Sequence, residues 1–192
     1  MIVTHEREKL IHAIVFFCNQ TKQCRTVKLF KLLHHLDMEH FRQTGRTVTG
    51  LRYYAWKQGP VPASLWNELD KSPKDDLARA MTITAYRDAK TNDVERRDLK
   101  PKIAFNKKLF SQRELSIMNR IALLFNDAES ENLSELSHMN GQPWQRVWAG
   151  GSGKGKEIPS ELALKTERLQ NDVPTISPEE LAYRRELLKG IS

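Results

Sequence analysis

The residues Gly150-x4-Gly155-Lys156 have most of the spacing of a phosphate-binding loop, in which glycine amides cradle phosphates and a lysine reaches the terminal ones. The next residue, Glu157, argues against that use. A hydroxyl at that place would hold magnesium, whereas a carboxylate repels phosphate, and no buried strand leads into the loop. The stretch AGGSGKGKE reads instead as a flexible hinge. A second stretch, His34-His35-Leu36-Asp37-Met38-Glu39-His40, invites a metal, because His35 and Glu39 share a helix face at i, i+4 and zinc accepts imidazole and carboxylate. Two ligands do not make a site, and His5, His12 and His138 are scattered. Asp37 and His40 are therefore assigned to hydrogen bonds with neighbouring backbone. Cys18 and Cys24 match neither a disulfide framework nor a zinc ribbon and are expected as reduced, partly buried thiols. No serine lies in a G-x-S-x-G elbow, and the acid pair Asp75-Asp76 sits in polar surroundings. The residues offer no catalytic constellation, no metal and no cofactor, so the expectation is a protein that is not an enzyme.

Binding is the alternative, and charge says where. The chain of 192 residues carries a net charge of +7. Residues 149–192 hold seven basic and seven acidic residues, so the whole excess lies in residues 1–148. Residues 87–108 alone contribute eight basic and four acidic residues, a patch that attracts nucleic acid or an acidic protein. No helix-turn-helix, aromatic RNA-binding signature or zinc finger accompanies it, which leaves nucleic acid possible but not favoured. No apolar run is long enough to span a membrane, and the N-terminus MIVTHEREKL does not resemble a secretory signal; a cytoplasmic protein is expected.

The elements that must carry this patch read mainly as helices. Thr4 is placed to cap a first helix with Leu10, Ile11, Ile14, Val15, Phe17 and Cys18 at core spacing. A second starts near Thr26, with Leu29, Phe30, Leu32, Leu33, Leu36 and Phe41 forming an apolar surface too broad for a solvent helix, and Gly45 ends it. LRYYAW reads as a strand stopped by Pro60 and Pro62; residues 63–69 read as helical turns, and SPKDDLARA adds another. MTITAYRDA and LKPKIAF read as a hairpin with a basic connection and second arm. Ser111-Gln112-Arg113-Glu114 is a capping box opening a helix over 112–126 that buries Leu115, Met118, Ile121, Ala122, Leu124 and Phe125. Shorter helices follow at 132–138 and from Pro143, and Ser177-Pro178-Glu179-Glu180 caps a last one. The expected fold is α+β and predominantly α-helical: a single helical domain with a small β-strand or hairpin element and a C-terminal helical arm.

Residues 28–66 and 133–148 resemble the Panacea domain of the SocA-like antitoxin family. The pattern is a leucine-rich helix, acid-x-Glu-His and an aromatic, Gly-Arg-x-x-Thr-Gly, and an aromatic strand ending in Gly-Pro-Val. It falls on Asp37, Glu39, His40, Phe41, Gly45, Arg46, Thr49, Gly50, Tyr53, Tyr54, Trp56, Gly59, Pro60 and Val61, with Trp144 and Trp148 in the second block. His34-His35 stands where the pattern usually has aromatics. The resemblance implies a Panacea domain over 1–148; residues 149–192 have no counterpart in the pattern and read from their composition as a flexible glycine-rich hinge and C-terminal helical extension. It further implies an antitoxin that binds a cognate protein toxin, with delivery of that toxin to an ATP-dependent protease as an alternative; a basic nucleic-acid-binding regulator is the other alternative, and the residues are equally compatible with a phage-associated accessory protein. In YYAWKQGPVP, side-chain alternation sends Leu51, Tyr53 and Ala55 to one face and Arg52, Tyr54 and Trp56 to the other. The candidate partner-binding residues are Tyr54, Trp56, Lys57, Pro60 and Pro62 at this corner, and Arg87, Arg96, Arg97, Lys100 and Lys102 in the hairpin.

Overall fold

A helix that is apolar on most of its faces is stable only when surrounded. That is the position of α2 (Thr26–Thr44), the spine of the computed structural model, which describes residues 5–126, 142–165 and 176–189. Leu29, Leu32, Leu33 and Leu36 are wholly buried, and so nearly are Lys28, Lys31, Asp37, Glu39 and Arg42 of the same helix. Gly45 closes it at φ 74°, a left-handed cap whose amide donates to the Phe41 carbonyl.

Helix α1 (Glu6–Gln20) packs along α2 through Leu10, Ile14 and Phe17. His5 takes the N-cap position; Thr4, the expected cap, lies outside the described residues. Helices α3 (Ala63–Asp70) and α4 (Asp75–Ala80) are tied to α1 by Arg7, whose guanidinium donates to both Glu68 carboxylate oxygens at 2.9 and 2.6 Å and to Asp76 at 2.8 and 2.6 Å. That bidentate geometry is the strong form of an ion pair. Helix α5 (Gln112–Phe125) opens on the predicted capping box of Ser111 and Glu114. Ile117, Met118, Ile121, Ala122 and Phe125 form its buried stripe. Leu124, expected in the core, is 53 % exposed, because at 100° per residue it falls off that stripe.

Two small antiparallel sheets complete the domain. Strand β1 (Tyr53–Trp56) turns at Lys57-Gln58 into β2 (Gly59–Val61), and this corrects the reading of Pro60 as a stop. Trp56 pairs with Gly59 across the turn, so Ala55 opposite Pro60 directs its backbone groups away from β2, where a proline has no hydrogen bond to lose. Those Ala55 groups bond the 149–158 segment instead: the Ala55 amide donates to Lys156 O at 2.9 Å, and the Gly155 amide to Ala55 O at 2.8 Å. Strand β5 (Glu157–Ile158) then pairs with β1, giving the order β2-β1-β5. The second sheet is the predicted hairpin, β3 (Met81–Arg87) with β4 (Val94–Pro101).

The stretch expected as a hinge is a turn hydrogen-bonded to β1. Gly153 packs so tightly that a Cβ there would lie 1.7 Å from Val147 O. The amides a phosphate would need are taken, Gly153 donating to Trp148 O at 3.1 Å and Lys156 to Gly153 O at 3.0 Å. Helix α6 (Pro143–Trp148) begins at proline as predicted, and α7 (Pro178–Lys189) has the Ser177 hydroxyl accepting from the Glu180 amide. The C-terminal segment joins the same core: Ile176 and Leu181 are buried in it, the Ile176 amide donates to Arg42 O, and Arg184 donates to Thr44 O at the end of α2. The helix expected at 132–138 lies outside the described residues. The molecule is a single α+β domain, mostly helical, and among the described residues no helix is long and apolar enough to cross a membrane.

Candidate binding surface

The inner half of the site is a buried carboxylate that shapes a loop. Asp37, fully buried on α2, accepts from the amides of Val48 (2.8 Å) and Thr49 (2.9 Å), from the Thr49 hydroxyl, and from the Tyr53 hydroxyl (2.7 Å). One side chain thus folds residues 45–52 back onto α2 and seats the start of β1. Burial pushes the Asp37 carboxyl up to about 6 against the pull of these hydrogen bonds. His40 donates from Nδ1 to Arg46 O at 2.7 Å, fixing the same loop at its other end. Both residues bond neighbouring backbone, as the sequence reading assigned them.

Glu39 does not reach out to a metal. It accepts from Arg42 at 2.5 Å, Gln43 at 2.7 Å and Arg120 of α5 at 3.2 Å, which neutralises a carboxylate that is only 5 % exposed. A buried charge held this way is costly to break. His34 and His35 take the place of aromatic rings: His35 stacks on Phe125 with centroids 5.4 Å apart, and His34 meets Tyr53 edge-on at 5.0 Å. Burial keeps both neutral, taking His35 down to about 4. Among the described residues no group of three or more His, Cys, Asp or Glu could hold a metal ion. Cys18 is half-buried and Cys24 buried, both as free thiols.

The loop that Asp37 shapes leaves Arg46 exposed on the wall of a cleft of about 680 Å³, with Lys9, His40, Arg52, Glu114 and Glu157 around it. At its floor the Lys9 ammonium pairs with Glu114 at 2.6 Å. Cations and carboxylates alternate here, so the cleft has no single-sign field to capture an anion.

The outer half of the site runs from β1 to the hairpin. Trp56 is 36 % exposed and meets Trp66 of α3 edge-on at 5.4 Å. Arg97 of β4 also lies over the Trp66 ring, 5.3 Å from its centroid, and pairs with Asp70. Trp144, itself buried, donates from Nε1 to Trp56 O at 2.9 Å and stacks on Trp148 at 5.4 Å, so the second block of the pattern clamps the end of β1. Further out, Arg96 covers the Tyr86 ring at 4.1 Å and lies 3.5 Å from Asp98.

The predicted contact residues separate on this geometry. Trp56, Lys57, Arg87, Arg96, Lys100 and Lys102 are exposed and Tyr54 half-buried. Pro60 and Pro62 are buried, and Arg97 is 6 % exposed, so none of these three offers a docking surface; β2 packs on α2, and Arg97 is consumed by Trp66 and Asp70. Gly45, Gly50 and Gly59 shape backbone at the ends of the loop and hairpin. Trp66 was missed. Its signal was present: Leu65 and Leu69 define the buried face of α3, and a tryptophan beside that face calls for a partner across the surface.

The molecule thus combines a single mostly helical domain, a buried polar network holding a loop, and an aromatic and basic exterior. The family described as Antitoxin SocA-like, Panacea domain, matches residues 29–145, more than half of the chain, and this chain belongs to that family. No characterised protein and no solved structure matches it.

Proposed function

We propose that this chain is an antitoxin that neutralises a cognate protein toxin by direct stoichiometric binding, in the cytoplasm. The observation that carries the proposal is the set of exposed aromatic and basic side chains on one exterior, Trp56 at the end of β1 and the Tyr86–Arg96 pair of the hairpin. Tryptophan, tyrosine and arginine are the residues that most often anchor protein interfaces. The inner network supports this reading because it fixes the corner before a partner arrives, so little ordering entropy is lost on binding. The adaptor alternative relied on a flexible tether beginning at Gly150, and the hydrogen bonds of the 150–156 turn to β1 favour binding alone over it.

The test is co-expression with the toxic product of the neighbouring gene. Growth should be restored by this chain, and the two proteins should purify as one complex. Unchanged toxicity, with the chain present and folded, contradicts the proposal.

A further inference from the structure

Among the described residues, strand β3 has a neighbour on only one side. The Lys102 amide donates to Ala80 O at 2.8 Å, and because the register continues as Thr82 with Lys100 and Thr84 with Asp98, the even-numbered residues turn their backbone groups toward β4. The amides and carbonyls of Ile83, Ala85 and Arg87 therefore point to the opposite edge, whereas the Met81 amide donates to Leu77 O at the end of α4. Among the described residues no strand pairs there. The outer edge of β4, by contrast, is bridged through Asp98 to Arg25 and lies against α1 and α2.

Side chains of the same odd-numbered residues share one face of β3, and that face lines a groove of about 370 Å³ against α3 and α4. Its floor is apolar, with Leu69 and Met81 buried and Ile83 half-buried. Arg87 and Lys102 stand at its margins, exposed, and its one carboxylate, Asp70, is already paired with Arg97. An exposed strand edge is ordinarily guarded against pairing with another chain. Here it lies beside a groove with apolar depth and positive rims.

From this we infer that β3 is a docking edge: an extended segment of a partner protein adds to it as a third strand of the β3–β4 sheet. Alternate side chains of that segment enter the groove, and its acidic residues meet Arg87 and Lys102. Strand addition takes affinity from main-chain hydrogen bonds and specificity from the pockets beside them. The inference rests on the proposal above that the partner is a protein, and it names the edge and the chemistry that partner must present.

The test titrates the full-length chain with an acetylated, amidated peptide of alternating valine and threonine bounded by aspartate and glutamate, following amide exchange. The Ile83 and Ala85 amides should become protected on binding. Ala85→Pro removes an outward N–H without touching the β4 ladder, so it should weaken the peptide at least about tenfold with the fold intact. As a second variant that leaves the backbone alone, Arg87→Glu with Lys102→Glu should weaken it about tenfold at low salt and less at high salt. Absence of peptide binding at millimolar concentration, equal binding by Ala85→Pro, protection elsewhere, or displacement of the peptide by a short DNA duplex would each overturn the inference. In co-expression, a wild-type chain that fails against the toxin but passes the peptide test sinks the antitoxin reading alone. If the wild-type chain and Ala85→Pro neutralise the toxin equally, the edge assignment falls and the antitoxin reading stands.

Discussion

The two hairpins, one closed by two residues and the other by the six of 88–93, have opposite fates. The β1–β2 hairpin is sealed: β5 covers the β1 edge, β2 packs on α2, Tyr53, Ala55 and Val61 are buried, and Asp37 and Trp144 hold its two ends. The β3–β4 hairpin is rooted by Met81 and Arg97 but exposes most of its length and one whole edge. The family pattern falls on the sealed hairpin and its loop. The inference is that those residues build a scaffold, and that the exterior hairpin is where this chain meets its partner.

If that division is right, damage to the sealed region should appear as lost stability, and damage to the exterior hairpin as lost binding. The largest expected effect is Asp37→Ala, which leaves the Val48 and Thr49 amides and the Tyr53 hydroxyl without their acceptor. It should destabilise the fold by about 3–5 kcal/mol in urea denaturation, on the order of losing one member of a buried charged network. Gly153→Ala should cost about 1–3 kcal/mol by forcing the turn away from Val147 O. A change under a few tenths of a kcal/mol would restore the hinge reading.

Asp37 also sharpens the contrast through pH. Its folded carboxyl holds a proton to about 6, above the usual carboxylate value of 3.8, so this group favours the folded state below about 4 and loses that contribution as pH rises through 6. Asp76, taken down to about 2 chiefly by Arg7, has the opposite sign: its contribution is present above 3.8 and lost as pH falls toward 2. Asp37→Asn should remove the fall in stability between pH 4 and 6 and leave the acid limb unchanged. The smallest stability effect belongs to the exterior: Arg96→Ala should stay within about 0.5 kcal/mol of wild type, since its Tyr86 and Asp98 contacts are exposed.

Much of the scaffold was legible because its signals are local. The apolar breadth of α2, Gly45 as its stop, the Ser111–Glu114 box and the alternation in β3 each depend on residues a few positions apart. What failed depends on contacts that the local pattern does not show. Pro60 reads as a breaker until Ala55 is seen to turn its hydrogen bonds toward Gly155 and Lys156. The Gly150–Gly155 run reads as a hinge until Val147 closes on Gly153. Arg97 looked like one more basic residue of the hairpin, and only the approach of Trp66 and Asp70 takes it out of the exposed set.

The most direct test measures the dissociation constant of the purified complex with its toxin for wild type and for the chain carrying Trp56→Ala, Arg87→Glu and Arg96→Glu. The expected result is affinity weakened at least about a hundredfold, with the urea midpoint little changed. Wild-type affinity in that triple variant, or a loss of affinity that only tracks a loss of folding, would contradict the claim that this exterior is where the chain acts.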